Sequence, residues 1–303
     1  MRKPSARQSS RLRASWVHAI IGGLIAFAVS ALPAASAQGA PMRIVSLNLC
    51  TDQLLMLLAD RTRIASITHL AFDPGTSAMA AQATGLTANH GFAEEILPLD
   101  PDLVLAGAFS ARPTVFLLRR LGYRVVEIPV ASDFDDIRAN IRTLAAAIGA
   151  RHRGEALIKN FDQQLEHATA GILTSDGSPV GALHWANSYS SGAHTLADAV
   201  VQFSGFRNLA SELGISGPAQ LPLERLIASD PDILIIGRVR DGAALAHETL
   251  RHPAMRRTFD KRKKVSIPDN LWVCGTPFVA EAVRRLSIAR RALSTGASGQ
   301  KTP

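Results

Sequence analysis

The amino-acid sequence predicts an α/β protein of two lobes, each with a central, mainly parallel sheet flanked by helices, and with a single long helix joining the lobes. Short apolar segments alternate with amphipathic helical segments, which is typical of βα units with parallel strand pairing. This alternation stops at one long helical segment and then restarts. In addition, a segment of the first half is echoed in the second half, as expected of two similar lobes.

Residues 1–37 predict an export signal. Five basic residues and no acidic residue accompany an apolar run over residues 17–32, and Ala35-Ser36-Ala37 supplies a small-residue cleavage pattern. A membrane anchor is the alternative, but the run is shorter than the ~20 residues that a membrane-spanning helix needs. No cysteine follows the run closely enough to carry a lipid. We therefore expect cleavage after Ala37 and a soluble protein in the periplasm.

Removal of this segment lowers the net charge of the chain. Five of the 33 Lys and Arg residues lie in it, which leaves 28 basic against 25 acidic residues and a net charge of about +3. Without a basic stripe or a stacking platform, the composition argues against a nucleic-acid partner. The remaining chain of about 265 residues suits two domains of ordinary size. We expect a monomer without a resident cofactor.

The predicted elements of the first lobe, residues 42–132, are four strands and two main helices. The strands are expected at residues 43–47, 64–67, 103–106 and 123–128, and the helices at residues 51–58 and 114–121.

Two consecutive helices are expected over residues 133–171. Ser132 and Asp135 have the spacing of a capping box, and an apolar stripe follows until Gly149. The second helix, over residues 151–171, would span roughly 30 Å at ~1.5 Å per residue, enough to cross from one lobe to the other.

The second lobe is predicted over residues 178–292. Strands are expected at residues 180–185, 232–237 and 264–267. Thr276 and Pro277 are expected to open the last helix, as cap and first helical residue. A flexible tail is expected over residues 294–303.

The internal echo relates residues 94–105 to residues 224–235 at a constant offset of 130. Each copy has a helical segment, an Asp-Pro-Asp turn and an apolar strand. A common helix–turn–strand connection can produce such a match by accident. The distance between the copies nevertheless fits two similar lobes and not a solenoid.

The sequence resembles the periplasmic binding proteins for iron siderophores, haem and vitamin B12. The resemblance lies in the strand Arg43-Ile44-Val45-Ser46-Leu47, in the helix start Thr51-Asp52-Gln53-Leu54-Leu55, and in Leu-x-Pro-Asp-Leu-Val-Leu at residues 99–105. It covers about residues 42–290. The resemblance implies two lobes with a ligand between them, and delivery of that ligand to an ABC permease driven by a cytoplasmic ATPase.

The resemblance also implies that an acidic residue on each lobe docks onto arginines of the permease. By position these residues are Glu94 and Glu224. One carboxylate at the same place in each repeat suits a two-fold symmetric partner. The alternative is two solvated glutamates on helix surfaces.

Candidate ligand-binding residues follow from the rule that ligands of open α/β sheets bind beyond the carboxyl ends of the strands. Large aromatic faces suit flat chelates, arginines can clamp anionic groups, and histidines can ligate a metal. The residues that combine this position with this chemistry are His69, Phe72, His90, Phe109, Arg112, Trp185, Tyr189, Arg238 and Trp272, with His184 and His194 as further histidines. Core packing or ordinary surface exposure is the alternative for each one alone.

Cys50 and Cys274 are the only cysteines, and both are expected at the cleft edge. A disulfide between the lobes, two separate buried thiols and a soft metal site are all open alternatives.

The expected ligand is a metal chelate. A ferric siderophore is slightly favoured over cobalamin and haem, because Leu70 and Pro218 stand where vitamin B12 proteins have aromatic residues. A carrier of free Zn²⁺ or Mn²⁺ is an alternative that needs three or four convergent ligands. A secreted hydrolase with Cys50 or Ser46 as nucleophile is less favoured, because no nucleophile elbow, dinucleotide fingerprint or P-loop is present. We expect no enzymatic activity.

Overall fold

A computed structural model describes residues 40–172, 175, 177–237, 253–259 and 264–298. It has the mixed α/β architecture that the sequence predicts, with two parallel sheets flanked by helices. Within the described residues, no helix combines the length and apolarity needed to cross a membrane. The predicted export signal and Arg238 lie outside the described residues.

The first sheet contains five parallel strands in the order β3-β2-β1-β4-β5. The strands are β1 (Ile44–Ser46), β2 (Ile64–Thr68), β3 (Ala88–Asn89), β4 (Leu103–Gly107) and β5 (Val125–Ile128). The helices of this lobe are α1 (Leu49–Leu58), α2 (Ala80–Ala83), α3 (Ala93–Ile96) and α4 (Arg112–Arg120). We call this unit the first lobe.

The second sheet contains four parallel strands in the order β11-β10-β6-β8, beside an antiparallel pair, β7-β9. The strands are β6 (Val180–His184), β7 (Tyr189–Ser191), β8 (Arg207–Asn208), β9 (Pro218–Gln220), β10 (Ile233–Ile236) and β11 (Lys264–Ser266). The helices are α7 (Leu196–Phe203), α8 (Leu209–Glu212), α9 (Leu223–Ala228), α10 (Pro253–Thr258) and α11 (Val279–Ser298). We call this unit the second lobe.

Two helices connect the lobes: α5 (Phe134–Ala147) and α6 (Arg151–Thr169). α6 packs against α5 and α11 and buries Ile158, Phe161 and Leu165 at helical spacing. Gly154 of α6 touches α5 so closely that a Cβ atom there would clash with the Cβ atom of Ala145. The long helix is thus packed closely against α5 and α11.

The buried strands are apolar on both faces because both faces of each sheet are covered. In the first sheet Ile44 points into the main core, which extends through both lobes, while Val45 points into a smaller core on the opposite face. In the second sheet Leu183 points into the main core, whereas Ala182 points into a third core on the opposite face. Parallel sheets covered on both faces are expected to show such continuous apolar runs.

The repeat predicted from the sequence has a structural counterpart. Asp100 and Asp230 occupy the same turn position with left-handed backbone, at φ values of 42° and 40°. Asp102 Oδ2 accepts a hydrogen bond from the backbone N–H of Arg43 at 2.8 Å, and Asp232 Oδ2 accepts one from the N–H of Val180 at 2.7 Å. The last aspartate of each Asp-Pro-Asp turn therefore links two neighbouring strands. Asp102, which precedes β4, bonds to the residue before β1, and Asp232, which precedes β10, bonds to the first residue of β6.

The helix α4 begins at Arg112 and not at residue 114, and three further predicted helix boundaries are wrong. α1 begins at Leu49, because the Asn48 side chain caps it and accepts a hydrogen bond from the N–H of Cys50 at 2.9 Å. α5 is capped by Asp133 and not by Ser132; Asp133 Oδ1 accepts from the N–H of Asp136 at 2.8 Å.

The third correction concerns the last helix. It begins at Val279 and not at Thr276 or Pro277, because a tighter turn precedes it, in which the N–H of Val279 donates to the carbonyl of Thr276 at 3.1 Å. The helix continues to Ser298, into the tail predicted from residue 294.

Candidate functional site

A cavity of about 830 Å³ lies at the carboxyl ends of both sheets. The loops after β1, β4 and β5 line it from the first lobe, and the segments around Trp185, residues 191–197 and residues 269–275 line it from the second. Its position agrees with the rule for open α/β sheets. The volume lies in the range of ~300–1,000 Å³ that is typical of small-molecule sites.

Two tryptophans form one wall of this cavity. The ring centroids of Trp185 and Trp272 are 5.8 Å apart, and the rings meet edge to face at 73°. Trp272 is nearly buried, whereas Phe109 on the opposite lobe is 80% exposed. Val130 and Val273 add exposed apolar surface to the lining. The cavity therefore offers large apolar faces from both lobes.

The polar groups of the cavity are few and mostly held by neighbours. Asn48 Nδ2 donates to Ser110 Oγ at 2.6 Å, and Asn140 Nδ2 donates to the carbonyl of Pro129 at 3.0 Å. Asp269 is the one carboxylate among the described lining residues, and these include no lysine or arginine. A largely uncharged ligand with apolar faces fits this lining better than a highly anionic one.

The backbone of the second lobe is unusual beside the cavity. Asn187, Ser188 and His194 have positive φ values of 56°, 59° and 63°. Non-glycine residues in this region are strained, and such strain concentrates at binding sites. His194 also lines the cavity, and its side chain is exposed.

His69 and His90 lie together, but in a separate cavity of about 520 Å³ on the first lobe. Their ring centroids are 4.7 Å apart and the rings are stacked at 25°. This cavity shares Asn48 and Ser110 with the larger one. The two predicted histidines are thus brought to the edge of the main site and not into it.

Besides His69 and His90, four predicted residues do not line the main cavity. Phe72 belongs to a short 3-10 turn and packs against the main core. Tyr189 lies on β7 and is 44% exposed. Arg112 lines a small cavity of about 130 Å³ beside α4, where its Nη1 donates to the carbonyl of Ala108 at 3.3 Å.

The fourth residue, His184, is completely buried at the end of β6, and neither ring nitrogen has a hydrogen-bond partner within the described protein atoms. Burial lowers the pKa of His184 to about 4. The imidazole is therefore neutral at ordinary pH.

Cys50 and Cys274 form a disulfide that joins the two lobes at the cavity wall. Their Cα atoms are 5.1 Å apart, within the ~7 Å that a bridge requires. Bonded in this way, Cys50 has no thiolate to act as a nucleophile. Ser46, the other candidate nucleophile, is buried and hydrogen-bonded to Thr51 Oγ1 at 2.7 Å.

Two further contacts accompany the disulfide. Asn270 Nδ2 donates to the carbonyl of Pro74 on the first lobe at 2.9 Å. Gly275 lies so close to Ala131 that a Cβ atom on this glycine would clash with the Ala131 side chain. Residues 269–275 thus form a strap that holds the lobes together at one edge of the cavity.

A buried carboxyl group lies behind the first-lobe wall. Asp52 accepts hydrogen bonds from the backbone N–H and the hydroxyl of Thr68, the latter at 2.5 Å. Desolvation raises the pKa of Asp52 to about 7, although the hydrogen bonds from Ser46 and Thr68 oppose this rise. Among the residues that the structure describes, no group of three or more His, Cys, Asp or Glu side chains is arranged to hold a metal ion.

Glu94 and Glu224 occupy equivalent places in the repeat. Each is exposed and lies in the first turn of the short helix before the Asp-Pro-Asp turn, α3 in the first lobe and α9 in the second.

The sequence-based selection missed one part of the site. Residues 128–132, directly after β5, line the main cavity together with Asn140. The same rule for strand ends, applied to the strand that the sequence predicts at residues 123–128, identifies this segment. Its apolar character, including Val130, is the signal that was overlooked.

Known proteins resemble this chain both in sequence and in fold. A sequence model of the periplasmic binding protein family matches residues 44–258. A cobalamin-binding protein from Halobacterium salinarum is 25% identical over 199 residues, which are 65% of this chain and 54% of that protein. The chain thus spans about half the length of this curated relative.

Solved structures of similar fold include proteins with three kinds of ligand in their descriptions. A periplasmic haem-binding protein from Roseiflexus sp. RS-1 has a TM-score of 0.67 at 22% identity and covers 83% of this chain and 98% of its own. The periplasmic vitamin B12 binding protein of Vibrio cholerae has a TM-score of 0.64 at 18% identity, covering 84% and 98%. An Fe³⁺-hydroxamate transport protein from Saccharomonospora viridis has a TM-score of 0.64 at 19% identity, covering 83% and 93%.

These three likenesses show the fold alone, because identity is low. The family match, in contrast, covers more than half of the chain and includes all of the cavity-lining residues except those of the strap at residues 269–275. This chain belongs to the periplasmic binding protein family.

Proposed function

We propose that this protein captures a metal chelate with large apolar faces in the 830 Å³ cavity and delivers it to an ABC permease in the inner membrane. A corrinoid or another chelate of low charge is the favoured ligand, ahead of an anionic siderophore. The observation that carries this proposal is the cavity lining: the Trp185–Trp272 wall faces apolar side chains of the first lobe, without a described cationic group.

The described lining has one carboxylate and no lysine or arginine, and this changes the preference that the sequence alone suggested. Arg112 was expected to clamp an anionic chelate, but its side chain lines a separate small cavity on the first lobe. Among the residues that the structure describes, the main cavity offers a polyanionic ligand no lysine or arginine to compensate its desolvation. The cobalamin-binding relative also supports a corrinoid.

The internal repeat of residues 94–105 and 224–235 supports the proposed delivery to a permease. Glu94 and Glu224 are exposed at equivalent positions of the two lobes. Two identical subunits of a permease would meet these carboxylates in the same way, which fits a two-fold symmetric partner. The proposed route begins with export to the periplasm and cleavage of the signal near Ala37.

Tryptophan fluorescence can test ligand capture directly. The chain has three tryptophans, and the protein without residues 1–37 retains only Trp185 and Trp272. We would titrate this protein with a cobalamin, haemin, a neutral ferric hydroxamate and an anionic ferric catecholate, with correction for absorbance by the ligand. We expect saturable quenching at micromolar concentration or below by at least one low-charge chelate.

Matched variants separate site binding from non-specific quenching. Trp272→Ala should weaken binding at least tenfold, because removal of a buried aromatic face loses a contact worth about 2 kcal/mol or more. Phe116→Ala, an exposed aromatic residue on α4, should leave binding unchanged. Binding of Zn²⁺ or Mn²⁺ alone, with no response to any chelate, would contradict the proposal in favour of a free-ion carrier.

A further inference from the structure

A pair of histidines stands at the edge of the first-lobe sheet. His69 follows β2 and His90 follows β3, so the two parallel strands place them side by side. Their rings stack with centroids 4.7 Å apart, and the ring of Phe92 is stacked next to His90 at 6.5 Å. Both imidazoles are exposed to solvent and line the 520 Å³ cavity.

Glu95 fixes the orientation of His90 through both carboxylate oxygens. Its Oε2 accepts from the backbone N–H of His90 at 2.6 Å, and its Oε1 lies 2.8 Å from His90 Nδ1. A carboxylate only accepts hydrogen bonds, so the hydrogen of this contact lies on His90 Nδ1, and in the neutral ring with that tautomer Nε2 keeps its lone pair.

Histidines that ligate metals in proteins commonly have a carboxylate hydrogen-bonded to their other ring nitrogen, as His90 has here. A carboxylate bound to one ring nitrogen orients the imidazole and raises the basicity of the other nitrogen. Two ligands of one metal at ~2.0–2.1 Å each lie at most about 4.2 Å apart. Rings stacked with centroids 4.7 Å apart can present nitrogens within that reach.

We propose that His69 and His90 form a coordination site for a borderline transition metal, such as Cu²⁺, Ni²⁺ or Zn²⁺, with Glu95 as the positioning residue. Imidazole ligands suit these ions. Two protein ligands leave further coordination positions open, so the metal must keep other donors. These donors are either water molecules on a free ion or the atoms of a chelate.

The two possible sources of the metal, a free ion and a chelate, rest on different arguments. Coordination of a free ion follows from the geometry of the histidine pair alone. Coordination of a chelated metal rests on the proposed function, because the chelate would have to extend from the main cavity past Asn48 and Ser110, which both cavities share.

Copper titration tests the site. CuCl₂ would be added to the protein without residues 1–37 and followed by visible absorbance and by electron paramagnetic resonance, which counts coordinated nitrogens. We expect one equivalent bound with nitrogen coupling from two imidazoles. His90→Ala should weaken binding at least 100-fold and remove this coupling. Glu95→Gln should weaken binding about 10- to 100-fold, as loss of such an orienting group usually does, with an altered copper spectrum and an unchanged thermal midpoint.

The matched controls are His152→Ala and His167→Ala, two exposed histidines on α6. Both variants should keep the copper stoichiometry and spectrum of the unaltered protein. Copper binding that is unchanged in His69→Ala and His90→Ala but lost in a control variant would overturn the free-ion form of the proposal.

Haemin and aquocobalamin test the chelated form, because their visible spectra change when an imidazole joins the metal. If a spectral change occurs and is absent in His90→Ala, the site takes the metal of a chelate. If only copper binds through the pair, the site takes free ions. If the histidine variants alter neither response, the proposal is wrong. Tryptophan quenching by a chelate would still support ligand capture in that case, so the two proposals can fail separately.

Discussion

Cys50 and Cys274 join the two lobes across 224 positions of sequence, at the wall of the cavity that both lobes form. Cys50 lies in the first turn of α1, whereas Cys274 lies in the strap before α11. The neighbouring contacts of Asn270 with Pro74 and of Gly275 with Ala131 reinforce the same edge. A ligand must therefore enter the cavity from another side.

The disulfide should contribute strongly to stability. In the chain-entropy model a bridge that closes a loop of this length stabilises the folded state by about 5 kcal/mol. We expect the Cys50→Ser/Cys274→Ser double variant to lower the free energy of unfolding by up to that amount, measured by urea denaturation. Dithiothreitol should destabilise the unaltered protein similarly and leave the double variant unaffected. Two reactive thiols in the denatured, unreduced protein would show that the bridge does not form.

Asp52 should make stability decrease as the pH rises from about 4 to about 7. The ordinary pKa of an aspartate is near 3.8 and that of Asp52 in the fold is about 7, so the folded state holds the proton more tightly in this interval. The stabilisation is complete below the lower value and is lost as the pH passes the higher one. Three pKa units correspond to at most about 4 kcal/mol. Asp52→Asn should remove this contribution in urea denaturation between pH 4 and 8, whereas Asp135→Asn, at an exposed carboxylate of α5, should keep the pH profile of the unaltered protein.

His184 should have the opposite effect on the acid side. Its pKa falls from 6.5 to about 4 on burial, so stability is complete above the higher value and is lost as the pH falls through the lower one. The penalty reaches at most about 3 kcal/mol. Because neither ring nitrogen has a partner in the described protein atoms, His184→Leu should be neutral or stabilising at pH 7. The control is His167→Leu, at an exposed residue of α6.

The two effects overlap in pH and oppose each other. The unaltered protein should therefore show only a shallow pH dependence from these groups between about pH 4 and 6.5. His184→Leu should expose the falling slope due to Asp52, and Asp52→Asn the rising slope due to His184. Identical pH profiles for both variants would contradict the assignment of the two groups.

The sheets could be predicted from the sequence because their strands are buried on both faces. β1, β4 and β10 are short apolar runs bounded by turn residues; β1 and β10 lie within the predicted limits, and β4 extends one residue beyond its predicted end, to Gly107. β3 and β8 contain two residues each and leave no periodic pattern to detect. The Asn48 cap of α1 was missed because a cysteine, and not an apolar residue of the helical stripe, fills the second helical position.

The candidate site could be predicted only where one rule about strand ends applied. That rule found Phe109, Trp185 and Trp272, which line the cavity. It misplaced Phe72, because a 3-10 turn after β2 directs this ring back to the core. The stack of His69 on His90 depends on how two loops pack, and no local pattern encodes it.

Docking to the permease gives the last prediction. Glu94→Arg and Glu224→Arg should each reduce uptake of the chelate by cells a few-fold, because an exposed ion pair contributes only ~0.2–1 kcal/mol, and the double variant should reduce it further. Tryptophan quenching by the same chelate should remain unchanged, since neither side chain lines the described cavity. Glu166→Arg, an exposed charge reversal on α6, is the matched control and should leave uptake intact. If Glu94→Arg instead weakened chelate binding by the purified protein, this carboxylate would act in the ligand site and not in docking.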